Sequence, residues 1–296
     1  NPAVILCSLS AYGHDGPWAN IPGIGGTIEP TSGMSALLGY RDGPPLNSGQ
    51  MYPDAVAGFY GAAAILAALH HRERTGEGQY IDLSMQEANL TFAGDAALEY
   101  VLAGRQRPRM SNRHTTFAPH GIYPCAGEDR WLAIACETGE QWQAFRREAG
   151  VDAWTSDPRF EDNAARKANE DALDAAIAAW TRSLDRDTLG ERLARAGVIA
   201  APVLDALEIA ADPLPRKRGT IVEVNHPEAG RLPQVALPFH FSATPPGHVC
   251  PAPLLGEHSF EVFAELLAMD RDEYDALVDA GVSGMGPPNE TSEEMR

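Results

Sequence analysis

The sequence predicts an α/β protein with a large domain at 1–114, a smaller α+β domain at 115–225 and a C-terminal segment at 226–296. Three observations carry this reading. The chain opens on an apolar run, Val4-Ile5-Leu6-Cys7, of the kind that forms a buried strand. A long Ala/Gly-rich helix at about 54–73 is followed by an alternating strand at 80–85. Near residue 115 the composition shifts towards short strands and amphipathic helices.

The first strand, 4–10, leads into a loop dense in Gly and Pro that continues through Pro22-Gly23-Ile24-Gly25-Gly26. Such density means tight turns and close backbone approach. A short helix is expected at 29–39 and a turn at Arg41-Asp42-Gly43-Pro44-Pro45. The helix from Asp54 carries Gly or Ala at seven positions between 58 and 68, which lets neighbouring backbones approach closely. Gly76 suits its left-handed C-terminal cap. In the next strand Tyr80, Asp82 and Ser84 alternate with Ile81, Leu83 and Met85, and a helix follows at about 86–104.

Beyond residue 115, strands are expected at His120–Pro124 and Trp131–Ala135, and helices at 139–149, 163–183 and 187–196. Val203-Leu204 reads as a short strand before a helix at 205–211. Residues 226–258 are rich in Pro, Gly and His and read as irregular, with a closing helix pair at 258–267 and 271–280. An apolar run that opens a chain has earlier structure to pair with. We therefore expect an N-terminal part outside this sequence, or one supplied by another polypeptide.

The chain has 296 residues, 44% of them hydrophobic, enough for a large core. A net charge of −18 argues against sequence-independent nucleic-acid binding. Arg105, Arg107, Arg109 and Arg113 are the nearest thing to a basic patch, either a solvated helix exit or a site for an anion such as a nucleotide phosphate. Cys7, Cys125, Cys136 and Cys250 form no C-x-x-C pair, and no His spacing completes a zinc site, so no metal is expected. Free buried thiols fit a reducing cytoplasm. The apolar stretch Gly61–Leu69 is too short to span a bilayer, so no membrane partner is expected.

The candidate chemistry centres on Asp54. Asp is a preferred helix N-cap, so a cap is the bland reading. The helix dipole equally favours an ionised carboxylate, the form a nucleophile needs. Gly49 and Gly58 leave space beside it. His14, His114 and His120 lie in loops and read individually as satisfied polar residues. No G-x-S-x-G elbow, P-loop or complete G-x-G-x-x-G is present, and Ser-His-Asp hydrolysis has no sequence support.

Several blocks in register resemble a family III CoA-transferase, the superfamily of formyl-CoA and carnitine CoA-transferases and α-methylacyl-CoA racemases. They are Ser8–Pro17 (SLSAYGHDGP), Asp54–Gly58 (DAVAG), Ala67–Leu69, Arg72–Asp82 (RERTGEGQYID), Ala118–Pro124 (APHGIYP), Phe241–Pro245 (FSATP) and Pro253–His258 (PLLGEH). They cover nearly the whole chain. The resemblance implies a partial Rossmann-like large domain, lacking its N-terminal segment, to which the C-terminal segment returns. It implies Asp54 as nucleophile, carrying CoA from an acyl-CoA donor to a carboxylic acid acceptor through an aspartyl-CoA thioester.

On the same resemblance, Gly23, Ile24, Gly25, Gly26, Gly49, Gln50, His120 and Glu137 are candidates for the acyl and acceptor groups. Tyr12, Gly13, Arg107 and Asn112 are candidates for the CoA moiety. CoA thioester is substrate, with no permanently bound cofactor, and the protein is expected to be a cytoplasmic, interlocked homodimer. Racemase-type members carry a His in the loop that here reads Pro22–Gly26, and Glu137, near where they have an acidic partner for that His, cannot replace the imidazole. This favours transferase over the alternatives, an α-methylacyl-CoA racemase or a non-catalytic incomplete subunit.

Overall fold

The structure, a computed structural model, describes residues 1–150, 153–244 and 249–284. Pro245 of the Phe241–Pro245 block lies outside the described residues. The chain forms two compact units, Asn1–Val203 and Leu204–Arg296. Elements are mixed α/β, as the sequence predicts.

In the first unit, β1 (Ile5–Ser10) pairs in parallel with β2 (Gln79–Ser84), with Ile5 opposite Gln79 and Ser10 opposite Ser84. The crossover contains α1 (Gly25–Thr31), α2 (Met34–Leu37) and the 24-residue α3 (Tyr52–Thr75). Small residues dock α3 on the strand pair. A Cβ at Gly61 would meet Leu9 Cδ1 at 3.4 Å. Gly76 closes α3 in the left-handed conformation (φ 79°), its amide donating to Arg72 O at 2.7 Å. By length and composition α3 suffices to cross a bilayer, contrary to the expectation from Gly61–Leu69. It packs instead as the crossover helix on β1, β2, α1 and α4 (Met85–Leu90).

Two expected helices are interrupted. The single helix at 29–39 is α1 and α2, parted at Gly33 (φ 87°), with Pro30 already inside α1. Gly25 and Gly26, read from sequence as loop, are the first residues of α1. The helix expected at 86–104 is α4 and α5 (Gly94–Ala103), joined by a 3₁₀ turn at Thr91–Ala93.

The remainder of this unit is built on an antiparallel sheet, β3 (His120–Pro124), β4 (Trp131–Ala135) and β5 (Ile199–Pro202). The short strand expected at Val203-Leu204 is therefore four residues earlier in its start, where Ile199–Pro202 pair with Leu132–Ala135. Helices α6 (Gly139–Ala149), α7 (Asn163–Ala168), α8 (Glu170–Thr181) and α9 (Arg186–Arg195) accompany the sheet. The helix expected at 163–183 breaks at Asn169, whose side-chain amide donates to Ala165 O at 2.9 Å. Such local side-chain bonding competes with the helical ladder.

Trp142, Phe145, Phe160, Leu132, Leu173 and Leu193 form the core of this part, each at most 2% exposed. Each such side chain contributes roughly 2–3 kcal/mol by leaving water. The Arg166 guanidinium lies 4.6 Å from the Trp142 ring, and its Nε donates to Ala118 O. A smaller core joins Val56 and Ala57 of α3 to Ala88 of α4. Cys125 and Cys136 are buried thiols, but Cys7 is half-buried and Cys250 exposed, so the expectation of buried thiols holds for two of the four.

The second unit holds α10 (Ala206–Ala211), α11 (Pro213–Lys217), an antiparallel hairpin of β6 (Ile221–His226) and β7 (Gly230–Val235), α12 (Ser259–Leu267) and α13 (Arg271–Asp279). The hairpin corrects the irregular reading from 226 onward. Strand β7 contains Pro233 and no buried residue, so it shows no apolar alternation to read.

Candidate active site

Asp54 is the third residue of α3, and its amide donates to Met51 O at 3.1 Å. The N-cap is Met51, not Asp54. Among the described residues the Asp54 carboxylate takes part in no hydrogen bond or ion pair. The cap reading therefore fails, and an exposed carboxylate stands uncommitted in the first turn of a long helix. Met51 adopts the left-handed conformation (φ 49°, ψ 48°), which costs a bulky residue about 1 kcal/mol or more. Strain of this kind clusters where geometry matters more than stability.

Gly25 lies directly against this carboxylate. A Cβ there would overlap Asp54 Oδ2 and come within 2.7 Å of Met51 Cβ. Gly25 and Gly26 open α1, and first-turn amides have no intrahelical acceptor. The starts of α1 and α3 thus converge on Asp54, a setting that favours developing negative charge. Around Gly26 and Gly58 there is open space.

The glycine turn is seated on the loop after β1. A Cβ at Gly23 would lie 2.8 Å from Ala11 Cβ and 3.2 Å from the Tyr12 ring. Tyr12 stands edge-on to Trp18 at 5.1 Å. Gly13 is buried with φ 85°. On the other side, the loop holding Gly49 and Gln50 is tied to α1. Buried Glu29 accepts the Ser48 amide (2.6 Å) and hydroxyl (2.7 Å), while Asn47 Nδ2 donates to Gly26 O at 2.8 Å. The Gln50 amide in turn donates to Ser48 Oγ at 3.2 Å. Tyr12, Gly13, Gly23–Gly26, Gly49 and Gln50 are thereby linked to one arrangement about Asp54.

A second group gathers at the sheet. Asn112 and His120 share two adjoining cavities of about 540 and 400 Å³. Neither is lined by Asp54. His120 Nδ1 lies 2.7 Å from the Asn112 carbonyl, which only accepts, so the proton is on Nδ1. Glu137 follows β4, exposed, with its amide donating to Gln141 Oε1 at 2.7 Å.

The arginines are committed within the chain. Arg107 donates to Asp95 (2.6 Å) and Glu99 (3.0 Å), and a phosphate would have to displace both carboxylates. Its hydrogen bond to Asp95 raises the guanidinium further and holds Asp95 below the usual carboxylate range. Arg105 pairs with Glu99, Arg109 donates to Gly43 O, and Arg113 pairs with Asp171 and Asp174.

Sequence reasoning missed two polar arrangements. The Glu29–Ser48 pair spans 19 positions with no local motif. Ser8, His14 and Asp82 also line up: Ser8 Oγ is 3.1 Å from His14 Nε2, and His14 Nδ1 is 2.8 Å from Asp82 Oδ1. The polar Tyr80-Asp82-Ser84 face of β2 was the one available signal for it.

Among the described residues no group of His, Cys, Asp and Glu could hold a metal ion. The family model described as CoA-transferase family III matches residues 1–259. The chain is 33% identical over 273 residues to a succinyl-CoA–D-citramalate CoA-transferase of Chloroflexus aurantiacus, covering 92% of this chain and 68% of that protein. It is 31% identical to a succinate–glutarate CoA-transferase of Agrobacterium fabrum, covering 92% of this chain and 67% of that one. Its structure resembles a CAIB/BAIF family protein from Brucella suis with a TM-score of 0.81 at 32% identity, over 90% of this chain and 68% of that one.

Proposed function

The chain belongs to CoA-transferase family III and is an enzyme of that class, and on this footing we propose that it moves CoA from an acyl-CoA donor to a carboxylic acid acceptor through a thioester on Asp54. The observation that carries the proposal is the uncommitted Asp54 carboxylate between the starts of α1 and α3.

An Asp54 oxygen attacks the donor thioester carbonyl, and CoA thiolate leaves to give a mixed anhydride. The thiolate attacks the aspartyl carbonyl, freeing the donor acid and leaving aspartyl-CoA. The acceptor carboxylate attacks this thioester, forming a second anhydride and expelling the thiolate again. Thiolate attack on the acceptor carbonyl gives the new acyl-CoA and regenerates the Asp54 carboxylate. No step needs a general base. The nucleophile is carboxylate or thiolate throughout, and covalent catalysis keeps the thioester energy.

Each tetrahedral intermediate carries an oxyanion, and in this reading the Gly25 and Gly26 amides, which open α1, receive it. Either anhydride hydrolyses if water reaches it, and the segments of Gly23–Gly26 and Asn47–Gln50 are suited to exclude it. The relatives' printed names pair succinyl-CoA or succinate with small dicarboxylates, and we extend that substrate class to this chain. His120, Asn112 and Glu137 belong to the proposal as groups of an interlocked homodimer. Support for a partner comes from Phe59 and Leu66 of α3 and Val101 and Leu102 of α5, all more than 60% exposed, and from an α5 without a buried residue. A reducing, cytoplasmic setting suits the buried thiols of Cys125 and Cys136.

The test is intact mass after incubation with succinyl-CoA and other acyl-CoAs, followed by neutral hydroxylamine. An adduct of CoA mass, discharged by hydroxylamine and missing in Asp54→Ala, is the expected result. Absence of an adduct with every donor, together with deuterium uptake at the α-carbon of a 2-methylacyl-CoA, would instead favour racemisation. Racemisation needs two facing bases, and the residue of α1 that abuts the Asp54 carboxylate, Gly25, carries no side chain.

A further inference from the structure

His14 is held more firmly than a loop histidine on the surface needs to be. Its amide donates to Asp82 Oδ2 at 3.0 Å and its Nδ1 contacts Asp82 Oδ1 at 2.8 Å, so both oxygens of one carboxylate grip one residue. Ser8 Oγ meets the far ring nitrogen at 3.1 Å. Ser8 and Asp82 are register partners across the β1–β2 pair, so the anchor is part of the sheet itself. The Tyr80 ring of β2 stands edge-on to the His14 ring at 6.3 Å. The bond from His14 also holds Asp82 below the usual carboxylate range, as a carboxylate serving as acceptor should be.

The line Ser8, His14, Asp82 has the hydrogen-bond order of a hydrolytic triad, but not its setting. Ser8 lies mid-strand, within the ladder that pairs β1 with β2, rather than on a strand-to-helix elbow. Such an elbow sets the amide that follows the nucleophile at the start of a helix, whereas Ser8 is followed by Leu9 and Ser10 of the same strand.

The array leads towards Asp54 instead. From His14 the chain runs back through buried Gly13 to Tyr12 and Ala11, and the Ala11 carbonyl accepts the Gln86 amide at 3.0 Å. Gly23 is seated on Ala11 and Tyr12 with no room for a methyl group, and two residues on Gly25 abuts the Asp54 carboxylate. We infer that His14 is a positioning residue for Asp54: clasped by Asp82 and Ser8, it fixes the loop on which the Gly23–Gly26 turn, and so the nucleophile, is seated. The catalytic half of this inference rests on the reading of Asp54 as nucleophile. The structural half does not.

The experiment compares the whole chain with His14→Ala and His14→Asn by hydrogen–deuterium exchange and by the rate of CoA-adduct formation. Asn places an amide N–H where Nδ1 sits and so keeps the ring's bond to Asp82. Expected in His14→Ala is faster exchange over residues 20–31, by on the order of tenfold. Adduct formation slows about tenfold at saturating donor, with half-saturation within about twofold. His14→Asn returns both to within about threefold of the parent.

Unchanged exchange over 20–31 in His14→Ala overturns the inference, as does failure of His14→Asn to restore it. Labelling of Ser8 by a fluorophosphonate, lost in His14→Ala, would show a hydrolytic triad and also overturn it. If the parent forms no adduct at all, the Asp54 reading fails, while the exchange comparison still decides the role of His14.

Discussion

Ser48 donates twice to Glu29, from its amide at 2.6 Å and its hydroxyl at 2.7 Å, and this carboxylate is 1% exposed. A buried carboxylate is tolerated only when its oxygens are occupied by donors. Here the donors come from the segment just before α3, so the same contact that satisfies Glu29 sets the approach to Asp54.

Glu29→Ala should therefore cost about 2–3 kcal/mol, since both charge-assisted bonds vanish and Ser48 is left without an acceptor. Glu29→Gln keeps an acceptor oxygen and should cost less. Urea unfolding of the two variants checks the order. A Glu29→Ala protein as stable as the parent would remove the pin from the account.

Asp54→Ala should abolish CoA-adduct formation yet leave stability within about 0.5 kcal/mol, because the carboxylate caps no amide. Were Asp54 a structural cap, truncation to Ala would cost about 0.5–2 kcal/mol and lower the melting temperature. Thermal unfolding and intact mass on the same sample separate the roles.

Gly25→Ala and Gly26→Ala form a matched pair. The methyl group at 25 collides with Asp54 and Met51, whereas at 26 it enters open space. Adduct formation should fall at least about a hundredfold in the first and about threefold or less in the second. Equal effects in single-turnover assays would mean that the Gly25–Asp54 contact is not what places the nucleophile.

Burial pushes the Cys136 thiol from 9.0 to about 12. The native state holds the neutral thiol, and unfolding lets it ionise at its ordinary pKa. Its contribution is complete below pH 9 and is lost as pH rises from 9 towards about 12. Over that window the slope approaches about 1.4 kcal/mol per pH unit. Tyr123 is raised as well, by burial first, so the decisive quantity is the difference between the parent and Cys136→Ala in denaturant midpoints above pH 9. A parallel pH dependence in the two proteins would count against it.

The β1–α3–β2 crossover was legible because each element carries its own period and Gly76 marks where α3 stops. Helix α6 was legible in the same local way and spans the expected 139–149. What escaped has no local signature. Gly25 and Gly26 look like loop until Glu29 and Ser48 fix α1 against the segment before α3. The β6–β7 hairpin escaped because β7 buries nothing, leaving its ladder as the only order. At the site, Asp54 stood out by its place at a helix start, but whether it caps could be read only from partners it does not have. The pairing of Arg107 was likewise not legible, since its partners Asp95 and Glu99 lie up to 12 positions away.

That pairing bears on how fast substrate arrives. With Arg105, Arg107 and Arg113 paired to carboxylates of the chain itself, this cluster presents little unpaired positive charge against the field that a protein of net charge −18 sets on an approaching CoA thioester, itself a polyanion. Diffusional encounter is then opposed at range, over a Debye length of about 8–10 Å near physiological ionic strength. Added salt should quicken capture, the reverse of the slowing found where a basic funnel draws an anion in.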